Sequence, residues 1–267
     1  MKLDNFALKL QEDKSLGRAA MESKCNAPDS GVLFDNRVKR YLKAAVRRHD
    51  LTARRNRTLA SVLQEWTEVG YVKAQVASIA NRAGMSTATL YRQFPDKTIL
   101  FCEALKFGHA ILLDALVTYS EHPNPIRDLT AMLCNYAETV SHPAPQQMLL
   151  AQSIMLLEPD LQANVSAIAS ENYTKIKQIW YAKIQKMADD GLVRIDQLEW
   201  QRCRLVGAVE IQTVRWFIMG QAEHALDCNW EAEAHQVVHD FFKLYGTEKF
   251  NQQKVLYNWD WGLYARP

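Results

Sequence analysis

The residues able to do chemistry form two groups, one near each end of the chain. Between Arg37 and Arg57 nine Lys or Arg face a single acid, Asp50. Such a density of positive charge suits phosphate binding, and equally a solvated basic face. Near the other end Glu231, His235 and His239 recur every four residues, which places metal-ligand donor types along one helix stripe. No ExxH motif accompanies them, and metal sites in helical bundles draw ligands from several helices, so a structural or surface role is the simpler reading. No Gly-rich phosphate loop, nucleophile elbow or HExxH sequence occurs. Cys25, Cys102, Cys134, Cys203 and Cys228 are scattered, odd in number and free of any CxxC pair. They suggest neither a disulfide framework nor zinc, and fit a reducing cytoplasm. No enzymatic activity and no cofactor are expected; a helical-bundle metalloenzyme or a helical protein-interaction module is the alternative.

These groups need a scaffold, and its signature is helical. Only 10 Gly and 8 Pro punctuate 267 residues of which 48% are hydrophobic, and apolar positions recur at helical spacing rather than alternating. An all-α architecture follows. Net charge is +2, but residues 1–100 carry 18 basic against 10 acidic side chains and the remainder 14 against 20, so the two parts stand at +8 and −6. Residues 1–30 lack the apolar core of a signal peptide, and no uninterrupted apolar run of about 18 residues appears, so a cytoplasmic protein without a membrane partner is expected.

Residues 1–35 read as a flexible leader and 36–50 as a basic amphipathic helix, with Val38, Tyr41, Leu42, Ala45 and Val46 opposite Arg37, Arg40, Lys43 and Arg47. A helix over about 53–69 follows, with Leu59, Val62, Leu63 and Trp66 on one face, stopping at Gly70. Val76, Ile79, Ala80 and Ala83 make a short helix ending at Gly84, and Ser86 caps another over 87–93 with Leu90 and Phe94 inward. Pro95 stops it and Asp96 caps a longer helix over 97–119, carrying Ile99, Leu100, Leu105, Ile111, Leu112 and Leu116. Further helices fall near 126–141, 146–157, 161–190, 197–221 and 230–245, with Pro143, Pro145, Pro159 and Gly191 as breaks. The tail over 247–267 holds Phe250, Tyr257, Trp259, Trp261 and Tyr264, and is expected to dock on the body or on a partner subunit. Two short helices joined by a tight glycine turn over 76–93 have the form of a helix-turn-helix, although a generic helical hairpin satisfies the same pattern.

A longer string narrows that choice. Gly70-Tyr71, Ile79-Ala80-Asn81-Arg82-Ala83-Gly84-Met85-Ser86, Thr89-Leu90-Tyr91-Arg92-Gln93-Phe94 and Asp96-Lys97 together closely resemble the N-terminal domain of TetR-family repressors. The resemblance is strong over 55–107, weaker over 126–220 and absent over 1–50. It implies a three-helix DNA-binding domain at 51–107 and a C-terminal helical bundle for ligand binding and dimerisation at 108–246. Carried over by position, the groove contacts fall on Thr87, Ala88, Thr89, Tyr91, Arg92 and Gln93, with Lys97 near a phosphate. Chemistry agrees: Arg92 can donate bidentately to guanine, Gln93 can read adenine or a phosphate, and the Tyr91 hydroxyl can bond backbone oxygen. Arg54, Arg55 and Arg57 resemble the basic arm that family members place ahead of the first helix, along the backbone or minor groove. Gln75-Val76 departs from the family, which commonly starts its second helix with Thr or Ser. That leaves both the cap and its phosphate contact open.

The resemblance further implies a palindromic operator bound by a homodimer, and release by a small effector. Tyr136, Met155, Trp180, Tyr181 and Trp216 are the candidates to wrap an apolar or aromatic effector, although core packing is the plainer role for each. Leu205, Val209, Ile211, Trp216, Phe217, Val237, Val238, Phe241 and Phe242 supply apolar surface for either a subunit interface or an internal core.

Overall fold

A computed structural model describes residues 54–119, 121–219, 224 and 227–256. The expected leader and basic helix over 1–50 lie outside the described residues, as do Tyr257, Trp259, Trp261 and Tyr264. Among the described residues there are ten helices and an isolated β-bridge between Val193 and Gly246. In chain order they are α1 (Arg54–Val69), α2 (Val76–Arg82), α3 (Thr87–Gln93), α4 (Lys97–Val117), α5 (Pro125–Val140), α6 (Pro143–Met155), α7 (Pro159–Asp189), α8 (Leu198–Ile218), α9 (Trp230–Tyr245) and α10 (Glu248–Leu256).

The first three helices wrap the start of α4. Leu59, Val62 and Trp66 of α1, Ile79 and Ala80 of α2, Leu90 of α3, Phe94 just beyond it and Leu100, Phe101 and Leu105 of α4 are all buried together. Trp66, Tyr71 and Phe101 meet edge to face in a closed triad with ring centroids 5.3 to 6.0 Å apart. Ile99 departs from the expected inward set, being 41% exposed. On α4 it sits beside the buried Leu100, where the helical rotation of about 100° per residue turns it off the core face.

The three prolines expected as breaks instead lie in the first turns of helices: Pro143 and Pro145 in α6 and Pro159 in α7, as Pro125 does in α5. The first helical residue has no intrahelical use for its N–H, and proline's fixed φ is already helical. The expected boundary between residues 107 and 108 falls inside α4, which runs unbroken for 21 residues from the α1–α3 unit into the bundle. Directly after it, Gly108 allows α1 and α6 to press on α4: a Cβ there would lie 2.3 Å from Met148 Sδ and 3.2 Å from Leu63 Cδ2.

In the bundle α5 packs against α9, and α8 is flanked by α5, α7 and α9. Leu205, Val209, Val238, Phe241 and Phe242 all go into this internal core. Ile211 does not: with Val214 and Ile218 of α8 and Met219 just beyond it, it forms a stripe that is 50 to 73% exposed. The start of the aromatic tail docks as expected, because Phe250 of α10 is buried and stacks on Phe242 at 4.3 Å.

Candidate nucleic-acid interface

The turn between α2 and α3 is dictated by one residue. Gly84 adopts φ +69°, and around it Met85 N–H donates to the Ala80 carbonyl and Gly84 N–H to that of Asn81, both at 3.0 Å. This paired closure satisfies the last carbonyls of α2 and reverses the chain within three residues. The Ser86 hydroxyl then accepts from Thr89 N–H at 3.1 Å and starts α3. Phe94, extended ahead of Pro95, ends it.

Leu90 and Phe94 are fully buried, which turns the opposite side of α3 outward. Thr87, Ala88, Tyr91 and Arg92 are exposed and share that side. Thr89 and Gln93 are half-buried and differently engaged. The Thr89 hydroxyl lies 3.0 Å from Ser86 Oγ and accepts from Arg92 Nη2 at 3.0 Å. Gln93 turns its Oε1 into the protein. Thr89 therefore organises the start of α3 and rests the Arg92 guanidinium, while the outward-facing set is Thr87, Ala88, Tyr91 and Arg92.

The three arginines expected as an arm ahead of the first helix lie instead in the opening turns of α1. Arg54 and Arg57 are exposed. Arg55 is held: its Nη2 bonds Glu103 Oε2 of α4 at 2.7 Å, and its guanidinium sits 4.7 Å from the centre of the Phe94 ring. It thus braces the end of α3. Lys97 is exposed at the first position of α4, with its Nζ 4.9 Å from the Phe101 ring centre.

The second helix lacks a cap of its own, as its sequence suggests, since the Gln75 side chain makes no capping bond. A residue the sequence reading passed over stands there. Glu65 of α1, only 3% exposed, accepts from Ser78 Oγ at 2.7 Å, from Arg82 Nη2 at 3.2 Å and from Gln75 N–H at 3.5 Å. Its signal was a carboxylate between Val62 and Trp66, on an otherwise apolar face. Arg82 completes a fork with Glu68 at 3.0 and 2.7 Å, which holds the Glu68 carboxyl below its ordinary range.

Residues 59–104 match the model of bacterial regulatory proteins of the tetR family. Those residues, which hold the α2–turn–α3 unit and the start of α4, thus carry the N-terminal domain of that family. Among relatives, it is 31% identical to the nucleoid occlusion factor SlmA of Mannheimia succiniciproducens over 105 residues, 38% of this chain and 47% of that protein. It is 25% identical to SlmA of Cronobacter sakazakii over 142 residues, 48% of this chain and 68% of that protein. The chain thus spans about half the length of the Mannheimia relative. Solved structures share the fold over more of it. A TetR transcriptional regulator from Agrobacterium tumefaciens covers 75% of this chain and 98% of its own, with TM-score 0.57 and 20% identity. FadR from Bacillus subtilis, in complex with stearoyl-CoA, covers 69% of this chain and 96% of its own, with TM-score 0.51 and 14% identity.

The five effector candidates do not converge. Tyr136 and Trp180 meet edge to face at 5.6 Å inside the bundle, and the Tyr136 hydroxyl donates to Glu210 Oε1 at 2.6 Å. Met155 is fully buried, Tyr181 donates to Glu199 near the surface, and Trp216 lies 6.0 Å from Trp230. None of the five lines either of two surface clefts. One, of about 240 Å³, lies where Tyr71, Lys97 and Phe101 face Ile154, Glu158 and Leu161; the other, of about 420 Å³, surrounds the Lys183–Asp128 ion pair. Tyr71 crosses the first cleft to donate to Glu158 Oε1 at 2.8 Å, linking the helix-turn-helix to the α6–α7 turn. Burial and this bond both raise the Tyr71 pKa.

Arg202, also passed over in sequence, is 4% exposed. Its Nη2 donates to Glu199 Oε1 at 3.0 Å and to the Tyr173 hydroxyl at 3.1 Å. The bonds from Arg202 and then Tyr181 hold the Glu199 carboxyl down at about 2. Glu231, His235 and His239 follow one another along α9, but no group of three His, Cys, Asp or Glu able to hold a metal occurs among the described residues. Among those residues, too, no helix is long and apolar enough to cross a membrane.

Proposed function

We propose that the chain is a sequence-specific DNA-binding transcriptional regulator that engages a palindromic operator as a homodimer and is released by a small apolar or aromatic effector. The observation that carries this reading is the outward face of α3. Thr87, Ala88, Tyr91 and Arg92 stand exposed on a helix whose other side is locked down by Leu90 and Phe94. Such a helix can enter the major groove without repacking the domain. Arg54, Arg57 and Lys97 add exposed positive charge for phosphates.

Dimerisation is supported by the exposed stripe of Ile211, Val214 and Ile218 on α8, whose i, i+3, i+7 spacing suits packing against a second helix, with Met219 just beyond its end. In the dimer the two recognition helices sit roughly 34–36 Å apart when competent for DNA. The effector acts by fitting the incompetent conformer better. Its site lies in the bundle, where the Tyr136–Trp180 pair and the buried Trp180 Nε1, which has no hydrogen-bond partner, offer both an apolar wall and a donor.

Selection of bound fragments from genomic DNA tests the reading. A palindromic consensus whose binding is lost in Arg92→Ala and weakened in Tyr91→Phe is expected; binding undiminished in both variants overturns the contact assignment. The SlmA relatives favour a second reading, a nucleoid occlusion factor. Deletion of the gene separates the two: altered transcription beside the selected sites supports the regulator, and altered division over the nucleoid with transcription unchanged supports the other.

A further inference from the structure

We propose that Glu65 is the positioning residue of the recognition helix, a buried carboxylate on α1 that grips α2 at both ends and thereby sets where α3 meets DNA. The proposal rests on the DNA-binding reading above and goes beyond it. At seven residues α2 is too short to hold itself together, so its place depends on tertiary contacts. Ile79 and Ala80 sink it into the core but are smooth, and fix neither its rotation nor its slide along α1. Glu65 fixes both. The Gln75 N–H and the Ser78 hydroxyl lie in its first turn, Arg82 at its last residue, and all three donate to this one carboxylate.

Burying a carboxylate is costly unless its lone pairs are occupied, and here donors occupy both oxygens. The conformation of Gln75, φ −114° and ψ 130°, is that of an ordinary N-cap whose side chain fails to cap. Glu65 supplies from a neighbouring helix what that side chain does not. Because the Gly84 closure joins α2 rigidly to α3, a shift of α2 moves Thr87, Ala88, Tyr91 and Arg92 together. Base contacts tolerate little displacement, whereas phosphate attraction is far less exacting.

This difference defines the test. A duplex selected from genomic DNA by the unmodified chain is compared with a scrambled duplex of the same length, and the ratio of the two affinities is read beside the melting temperature. Glu65→Leu removes the grip at similar volume and leaves Arg82 paired with Glu68, so no buried charge is stranded. We expect the ratio to fall roughly tenfold to a hundredfold, the worth of one bidentate base contact, with scrambled-duplex affinity nearly unchanged. Glu65→Gln, which keeps one acceptor oxygen for the Ser78 hydroxyl, restores the ratio, whereas Glu65→Leu/Gln75→Ser, which caps α2 without tying it to α1, does not. A Glu65→Leu chain that melts earlier yet keeps its ratio overturns the proposal, as does a double variant in which the local cap alone regains it. Should Glu65→Leu not fold, Ser78→Ala removes the shortest of the three bonds: a lowered ratio supports the role and an unchanged one refutes it. If the unmodified chain enriches no duplex at all, the DNA-binding reading itself fails, and the positioning role falls with it.

Discussion

The helix-turn-helix and the bundle treat buried polarity differently. In the first, the deeply buried charge, Glu65, is matched by three donors, and the groups that could meet a partner stand outside on α3. In the second, several buried polar atoms have no hydrogen-bond partner, among them Oδ1 of Asn172, Nε1 of Trp180 and Nε of Arg202. The domain that reads a duplex pairs its buried carboxylate, and its unpartnered buried polar atoms, Trp66 Nε1 and Gln93 Oε1, are uncharged. A domain that must respond to a ligand keeps pairing capacity in its interior, at a cost in stability.

The sharpest way to break this comparison is to disturb the locked side of α3. Leu90→Ala, at a position with no exposure, should lower stability by about 2–5 kcal/mol and abolish specific DNA binding, measured by denaturant unfolding and by titration with a selected duplex. A soft response would mean that the helix-turn-helix is not the rigid half.

The bundle answers to acid. Burial lowers the His109 pKa from 6.5 to about 4, so the unfolded chain takes up its proton first as pH falls. The unfolded state therefore binds more protons between about pH 6.5 and 4, and stability declines through that window by up to roughly 3 kcal/mol before levelling below it. His109→Gln should flatten the decline in unfolding free energy against pH; a curve identical to that of the unmodified chain would remove His109 as its cause.

Arg92→Ala separates reading from folding. Its exposed side chain should cost about 1–3 kcal/mol of discrimination between selected and scrambled duplexes while leaving the melting temperature within a degree or two. The smallest expected effect lies at the junction of the halves. Tyr71→Phe deletes the hydroxyl that donates to Glu158 and should cost about 1 kcal/mol, with the aromatic triad intact. If the junction also transmits the effector's signal, the same variant weakens the effect of ligand on DNA affinity; equal responses in both chains would make the bond merely structural.

Much of the helix-turn-helix was legible in the chain because its rules are local. Gly84, Ser86, Pro95 and Asp96 each dictate the conformation of their own neighbourhood, and the structure realises each as a turn, a cap, a stop and a cap. The prolines of the bundle were legible as punctuation but ambiguous in sense, since a proline that ends one helix equally opens the next. The contact face of α3 was legible in outline, whereas the inward turn of Gln93 and the bracing role of Arg55 depend on neighbours distant in sequence.

By itself, then, the amino-acid order determined an all-helical chain, the helix-turn-helix at 76–93 and the outward direction of Arg92, because periodicity and capping act within a few residues. The tertiary structure alone decided that Glu65 stands in for a missing cap, that Tyr71 ties the helix-turn-helix to Glu158 across 87 residues of chain, and that Ile211 faces out while Val209 faces in. The physical reason is common to all three. Which partner a side chain finds depends on how helices pack, and packing joins segments that carry no local signal of one another.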